Sequence, residues 1–99
     1  MLTEMAGFDW DDGNRIKCSK HGVSLHEIEA VFVDGGQVAP DLRHSGAEAR
    51  YIAIGHSTIG RWIFVAFTIR MSTGGRLIRP ISARYMHAKE VANYVTTHS

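Results

Sequence analysis

Arginine is the residue type best placed to do chemistry in this chain. Arg76, Arg79 and Arg84 punctuate the run Arg76-Leu77-Ile78-Arg79-Pro80-Ile81-Ser82-Ala83-Arg84-Tyr85, an apolar strand pattern that leads into a helix. Arg70 closes the strand before it. A guanidinium is always charged, and its rigid fork of donors fits phosphate oxygens. The first expectation is therefore a sheet face that meets phosphate. Lys20, His21 and Glu48 are the polar groups that could complete a reaction there. A base takes the proton from a ribose 2′-hydroxyl, the guanidinium groups stabilise charge on phosphorus, and an acid protonates the departing 5′-oxygen. That is RNA cleavage without a metal. The candidate catalytic set is Lys20, His21, Glu48, Arg70, Arg79 and Arg84.

Regular strand geometry opposes this grouping. Positions 79 and 84 differ by an odd number and should face opposite sides of a sheet. Pro80 offers a resolution, because proline cannot donate to the ladder and favours bulges and edges. A bulge there resets the alternation and brings both guanidinium groups to one face. The competing expectation is that the arginines pair with acids such as Asp9, Asp11 or Glu48, which is common and contributes little.

Other chemistries are poorly supported. Six histidines are scattered without a His-x-x-x-His pair, and there is no Cys-x-x-Cys, so neither a metal nor another cofactor is expected. Cys18 has basic neighbours that could lower its pKa, but reads better as a half-buried filler. The glycine pairs at 35–36 and 74–75 are turn glycines, not phosphate loops.

The elements that must position the arginines follow from periodicity. Phe8 to Asp11 alternates as a short edge strand. Asp11 or Asp12 caps a thin helix reaching about His21, on which Lys17, Lys20 and His21 share a face, and Gly22 ends it. Ser24 and Glu27 form a capping box before a helix burying Leu25, Ile28, Val31 and Phe32, stopped by Asp34-Gly35-Gly36. Gln37–Ala39 is a short strand and 41–49 a loop. Then the period becomes two: strands over Arg50–Ser57, Trp62–Arg70 and Arg76–Ala83 form an antiparallel meander, turning at Thr58-Ile59-Gly60 and Ser72–Gly75. Ile63, Val65, Phe67 and Ile69 face the helices, leaving Trp62, Phe64, Ala66, Thr68 and Arg70 on an open face. A last helix over Met86–Thr97 carries an apolar stripe of Ala88, Val91, Ala92 and Val95.

Length limits the chain of 99 residues to one expected domain, 1–99. No membrane span or secretory signal is read, and the expected compartment is the cytoplasm. Net charge is only +1, but residues 1–49 carry nine acids and four bases, whereas residues 50–99 carry seven bases and one acid, Glu90. A basic half suggests a polyanion or an acidic protein as partner. The blander reading is that the halves neutralise each other across the fold.

Trp10-Asp11, Asn14, Lys17, Lys20-His21-Gly22-Val23-Ser24 and Glu27, followed by Glu48 to Gly55, Phe67 to Arg70 and Ile78 to Arg84, resemble the BrnT-type toxins of bacterial toxin–antitoxin systems across about residues 8–95. The resemblance implies a RelE-like α+β fold, with an antiparallel three- to four-stranded sheet packed by two N-terminal helices and one C-terminal helix. It implies a ribonuclease that blocks translation and is neutralised by a BrnA-type antitoxin. The pair would form a hetero-oligomer that reaches operator DNA only through the antitoxin. It carries over Lys20, His21, Glu48, Arg70, Arg79 and Arg84 as site candidates. The chain departs from the pattern at Pro80, where relatives carry an isoleucine-like residue, and in its mild C-terminal helix. A binding module that keeps the fold and pairs with its antitoxin without turnover is the alternative. A third reading is a housekeeping domain with a solvated basic face.

Overall fold

The computed structural model describes residues 4–57 and 59–98, the last without its side chain. Thr58 of the expected turn, the first three residues of the expected loose start, and the side chain of His98 lie outside the described residues.

Two helices form first. Asp11 caps α1 (Asp12–Ser19) in a reciprocal capping box: its carboxylate accepts from the Asn14 N–H, and the Asn14 side chain accepts from the Asp11 N–H. The helix ends earlier than the sequence suggests, with Lys20 as its C-cap, and Gly22 takes the positive φ of 86° that turns the chain away. Ser24 and Glu27 cap α2 (Leu25–Val33) as expected, and Ile28, Val31 and Phe32 are buried. These two helices cover one face of a sheet.

That sheet has five strands, ordered β1-β5-β4-β3-β2. They are β1 (Gly7–Phe8), β2 (Gln37–Pro40), β3 (Tyr51–His56), β4 (Trp62–Ser72) and β5 (Gly75–Tyr85). The α+β class holds, but the expected three- to four-stranded antiparallel sheet does not. The β1 strand is parallel to β5, with Gly7 opposite Leu77 and Phe8 opposite Ile78, so the sheet is mixed. A two-residue strand is too short to show a period. The remaining pairs are antiparallel.

The core lies between this sheet and the two helices. Ile63, Val65 and Phe67 of β4 are fully buried there with Ala53, Ile78, Val31, Ile28 and Cys18. Phe8, Phe32 and Phe67 pack edge to face in series, with centroids 5.7 and 4.9 Å apart. The close seat of α2 on the sheet depends on glycine. A Cβ on Gly36 would lie 2.5 Å from the Val31 carbonyl oxygen.

The final helix, α3 (Ala88–His98), differs from the expected packing. Its apolar stripe is largely uncovered, with Val95 44% exposed and Ala88 and Ala92 also exposed. It holds the other sheet face mainly through Tyr94, whose ring lies 5.3 Å from that of Trp62, and through Glu90.

Candidate functional site

The β4–β5 register decides the site. Ala66 pairs with Ser82 and Phe67 with Pro80, so Ile81 has no partner of its own. This is the bulge that Pro80 suggested. It shifts the alternation by one, so Arg79 pairs with Thr68 and Arg84 with Phe64. Thr68, Phe64 and Arg70 share one face of β4. Arg70, Arg79 and Arg84 therefore lie on the same side of the sheet, opposite α1 and α2. Arg79 is diagonal to Arg70, while Arg84 lies two rungs of alternation away, roughly 13 Å along the strand.

Asn14 fixes the bulge in place. Its side-chain amide is buried and donates to the Pro80 and Asp9 carbonyls, at 2.9 Å each. Its oxygen completes the α1 cap. One asparagine thus joins a helix start, a strand exit and the irregular ladder.

Every arginine of the set already holds a carboxylate. Arg70 Nε lies 2.8 Å from Glu48. Arg79 reaches Asp11 at 2.9 Å and Asp9 at 3.4 Å, and its side chain is 20% exposed. Burial opposes its charge, but Asp11 and then Asp9 outweigh burial and hold its pKa above the usual value. Arg84 binds Glu90 in a fork-to-fork pair at 2.7 and 2.9 Å, and lies 4.6 Å from the Phe64 ring centroid. Glu90 also accepts from the His87 N–H at the start of α3. Arg84 and that N–H together hold the Glu90 carboxyl down to about 2.

Two expectations are corrected here. The face is not open along its length: Ala66 and Thr68 are buried, and the Thr68 hydroxyl donates to the Ala49 carbonyl as the 41–49 loop folds over it. The halves of the chain also neutralise each other, through Arg79 with Asp9 and Asp11 and through Arg70 with Glu48. The charge imbalance along the sequence is therefore not an unopposed basic surface.

The structure brings Glu48 to Arg70 and sets Arg79 beside them. Lys20 and His21 are exposed at the end of α1, and among the described residues neither joins the ion-pair set. Lys17 is the cation that α1 does offer. It lines a cleft of about 190 Å³ with Gly13, Asn14, Arg79, Pro80 and Ile81. Its shared helix face with Lys20 was a signal for it. Glu90 went unassigned, although it is the only acid after residue 49 and stands six residues beyond Arg84. Cys18 is not half-buried but wholly buried, and burial pushes its thiol up to about 11 despite Lys17 and Arg79. It is no nucleophile.

Comparison with known families places residues 10–90 in a single match, to the model described as the ribonuclease toxin, BrnT, of the type II toxin–antitoxin system. No curated protein matched the chain. No helix among the described residues is long and apolar enough to cross a membrane.

Proposed function

The chain belongs to the BrnT family of ribonuclease toxins of type II toxin–antitoxin systems, and from that membership we propose that its arginine face cleaves RNA internally without a metal, so blocking translation. The observation that carries this reading is the bulge at Ile81, which sets Arg70, Arg79 and Arg84 on one face. A packing role alone does not require that alignment. The fork-to-fork hold of Glu90 on Arg84 has the planar geometry a phosphate takes on a guanidinium.

In the proposed reaction the ribose 2′-oxygen attacks the adjacent phosphorus and gives up its proton to Glu48. Glu48 suits this role by position, because its ion pair with Arg70 at 2.8 Å holds the carboxylate at the edge of the arginine face. Arg79 and Arg84 replace their carboxylates with the phosphate oxygens and stabilise the charge that builds there. Each such donor contributes about 3–4 kcal/mol of barrier reduction. The bond from phosphorus to the 5′-oxygen breaks, and that oxygen takes a proton from solvent, with Lys17 of the Arg79 cleft on the phosphate; Lys20 and His21, exposed at the end of α1, do not join the arginine set among the described residues. The products are a 2′,3′-cyclic phosphate and a 5′-hydroxyl. A BrnA-type antitoxin would neutralise this face in a hetero-oligomer within a RelE-like arrangement.

One observation favours the non-catalytic alternative: each arginine is already paired. A single experiment separates the two readings. The protein is incubated with RNA in excess chelator, beside the Arg79→Ala/Arg84→Ala double variant. Cleavage by the parent alone, leaving 2′,3′-cyclic ends, is the expected result. If RNA stays intact with the parent, both free and on translating ribosomes, the catalytic reading is wrong. The chain is then a binding module for its antitoxin.

A further inference from the structure

Beyond the arginines, the same sheet face ends in a cavity of about 550 Å³ between α3, the end of α2 and strands β2 to β4. The arginine chemistry does not use it. Its size suits one aromatic ring system. Its lining is unusual for a structural void. Trp62 stands between His56 and Tyr94, with centroids 3.8 and 5.3 Å away and both rings edge-on. Neither neighbour lies parallel to the Trp62 ring, so neither already takes the place of a stacked base. Polar groups of both kinds sit among these rings. The Gln37 carbonyl accepts the Tyr94 hydroxyl proton at 2.8 Å, which orients the amide and leaves its N–H₂ as donor. Asp34 adds a carboxylate acceptor. A pocket offering stacking faces with one donor and one acceptor is suited to a planar heterocycle that carries both along one edge.

Its position names the class of heterocycle. Arg84 pairs with Phe64, and Trp62 follows two residues on along the same face of β4, about 7 Å away. A phosphate on Arg84 therefore has this cavity beside it, at the spacing of neighbouring parts of one nucleotide. We propose that the Trp62–Tyr94–Gln37 cavity is a base-binding subsite, which takes one unstacked nucleobase of single-stranded RNA and sets which residue flanks the cut. Single-stranded RNA is commonly read this way, by stacking on aromatic side chains and hydrogen bonding to base edges. The subsite rests on the RNA reading given above, but its test does not require cleavage.

The probe is a set of short 2′-O-methyl oligonucleotides, one for each base, which cannot be cut because the 2′-oxygen is blocked. They are titrated into the full chain and followed by amide and indole NMR. The expected result is a shift of the Trp62 indole and Gln37 side-chain signals that differs among the four bases. Trp62→Leu should weaken the preferred oligonucleotide by about tenfold, the loss of one base stack. Gln37→Ala, at an exposed position, removes the amide donor together with the Tyr94 bond and should flatten the differences between bases. Unchanged signals elsewhere certify that both variants are folded. Shifts confined to the arginine strands, or none at all, overturn the subsite even if the parent cleaves RNA. Shifts in the pocket with a parent that never cleaves would uphold the subsite while removing the ribonuclease reading.

Discussion

Arg79 and Arg84 occupy one sheet face and would serve one phosphate backbone, yet the protein holds them in different ways. Arg79 is gripped by Asp9 and Asp11, two residues at the junction of β1 and α1. That junction is pinned in turn by the buried amide of Asn14. Arg84 is held by one carboxylate on α3, a helix whose apolar stripe is mostly exposed. The first arginine is part of the framework and the second is tethered to an appendage. A guanidinium in the framework gives fixed geometry, whereas one held by a lightly packed helix can exchange partners at low cost. On the proposed ribonuclease reading, Arg79 would position a phosphate and Arg84 would admit it.

Truncation of each arginine tests this division most strongly. Arg79→Ala and Arg84→Ala should each lower cleavage by about 10²–10³-fold, the usual loss for one donor to a developing anion. Arg79→Ala should lower the melting temperature more than Arg84→Ala does, because it leaves Asp9 and Asp11 facing each other. Equal melting temperatures would remove the distinction between framework and tether.

Asn14→Ala attacks the framework without touching an arginine. It removes the bonds to Pro80 and Asp9 and half of the α1 cap. A cost of about 2–3 kcal/mol in denaturant unfolding is expected from the buried carbonyl left unsatisfied and the lost cap. Cleavage should fall with it as the bulge relaxes. A stable Asn14→Ala protein with full activity would show that Pro80 keeps the bulge unaided.

The smallest effect lies at the tether. The Glu90 carboxyl titrates at about 2 when folded against 4.5 unfolded. Its pKa is depressed on folding, so its stabilisation is fully present above pH 4.5 and is lost as pH falls towards 2. The pair is about one-third exposed, and solvent screening limits this to about 1 kcal/mol or less. Glu90→Gln should flatten the stability profile between those pH values by lowering neutral stability by that same amount, about 1 kcal/mol or less. An unaltered acid slope would place the low pKa elsewhere.

How much of this was legible depends on whether the signal was local. The capping boxes at Asp11 and Ser24, the glycine stops and the long β4 pattern are written in adjacent residues, and they match the structure to within a few positions. The bulge was legible for a chemical reason: Pro80 lacks a donor, and two arginines at odd spacing needed an explanation. The parallel pairing of β1 was not, since Gly7 and Phe8 show no period. Nor was the uncovered stripe of α3, because Ala88, Val91, Ala92 and Val95 repeat correctly whether or not anything covers them. At the site, the spacing alone set Arg79 and Arg84 on opposite faces, and only the bulge expected at Pro80 could bring them together; Asp9, Asp11 and Glu48 were legible as possible partners. The spacing could not place Lys20 and His21 relative to them, because helix packing angles are not encoded in helix periodicity.

The burial of Cys18 has a practical consequence. The only cysteine of the chain sits on the buried face of α1, without exposed surface, and burial pushes its thiol up to about 11. In the closed protein a thiol reagent meets neither an accessible nor an ionised sulfur. Labelling must wait for α1 to lift from the sheet, so its rate, set against that of an open thiol, measures how often that occurs. The molecule carries its own gauge of how firmly α1 is seated on the sheet. That gauge can be read in the presence of RNA or antitoxin without adding any label beforehand.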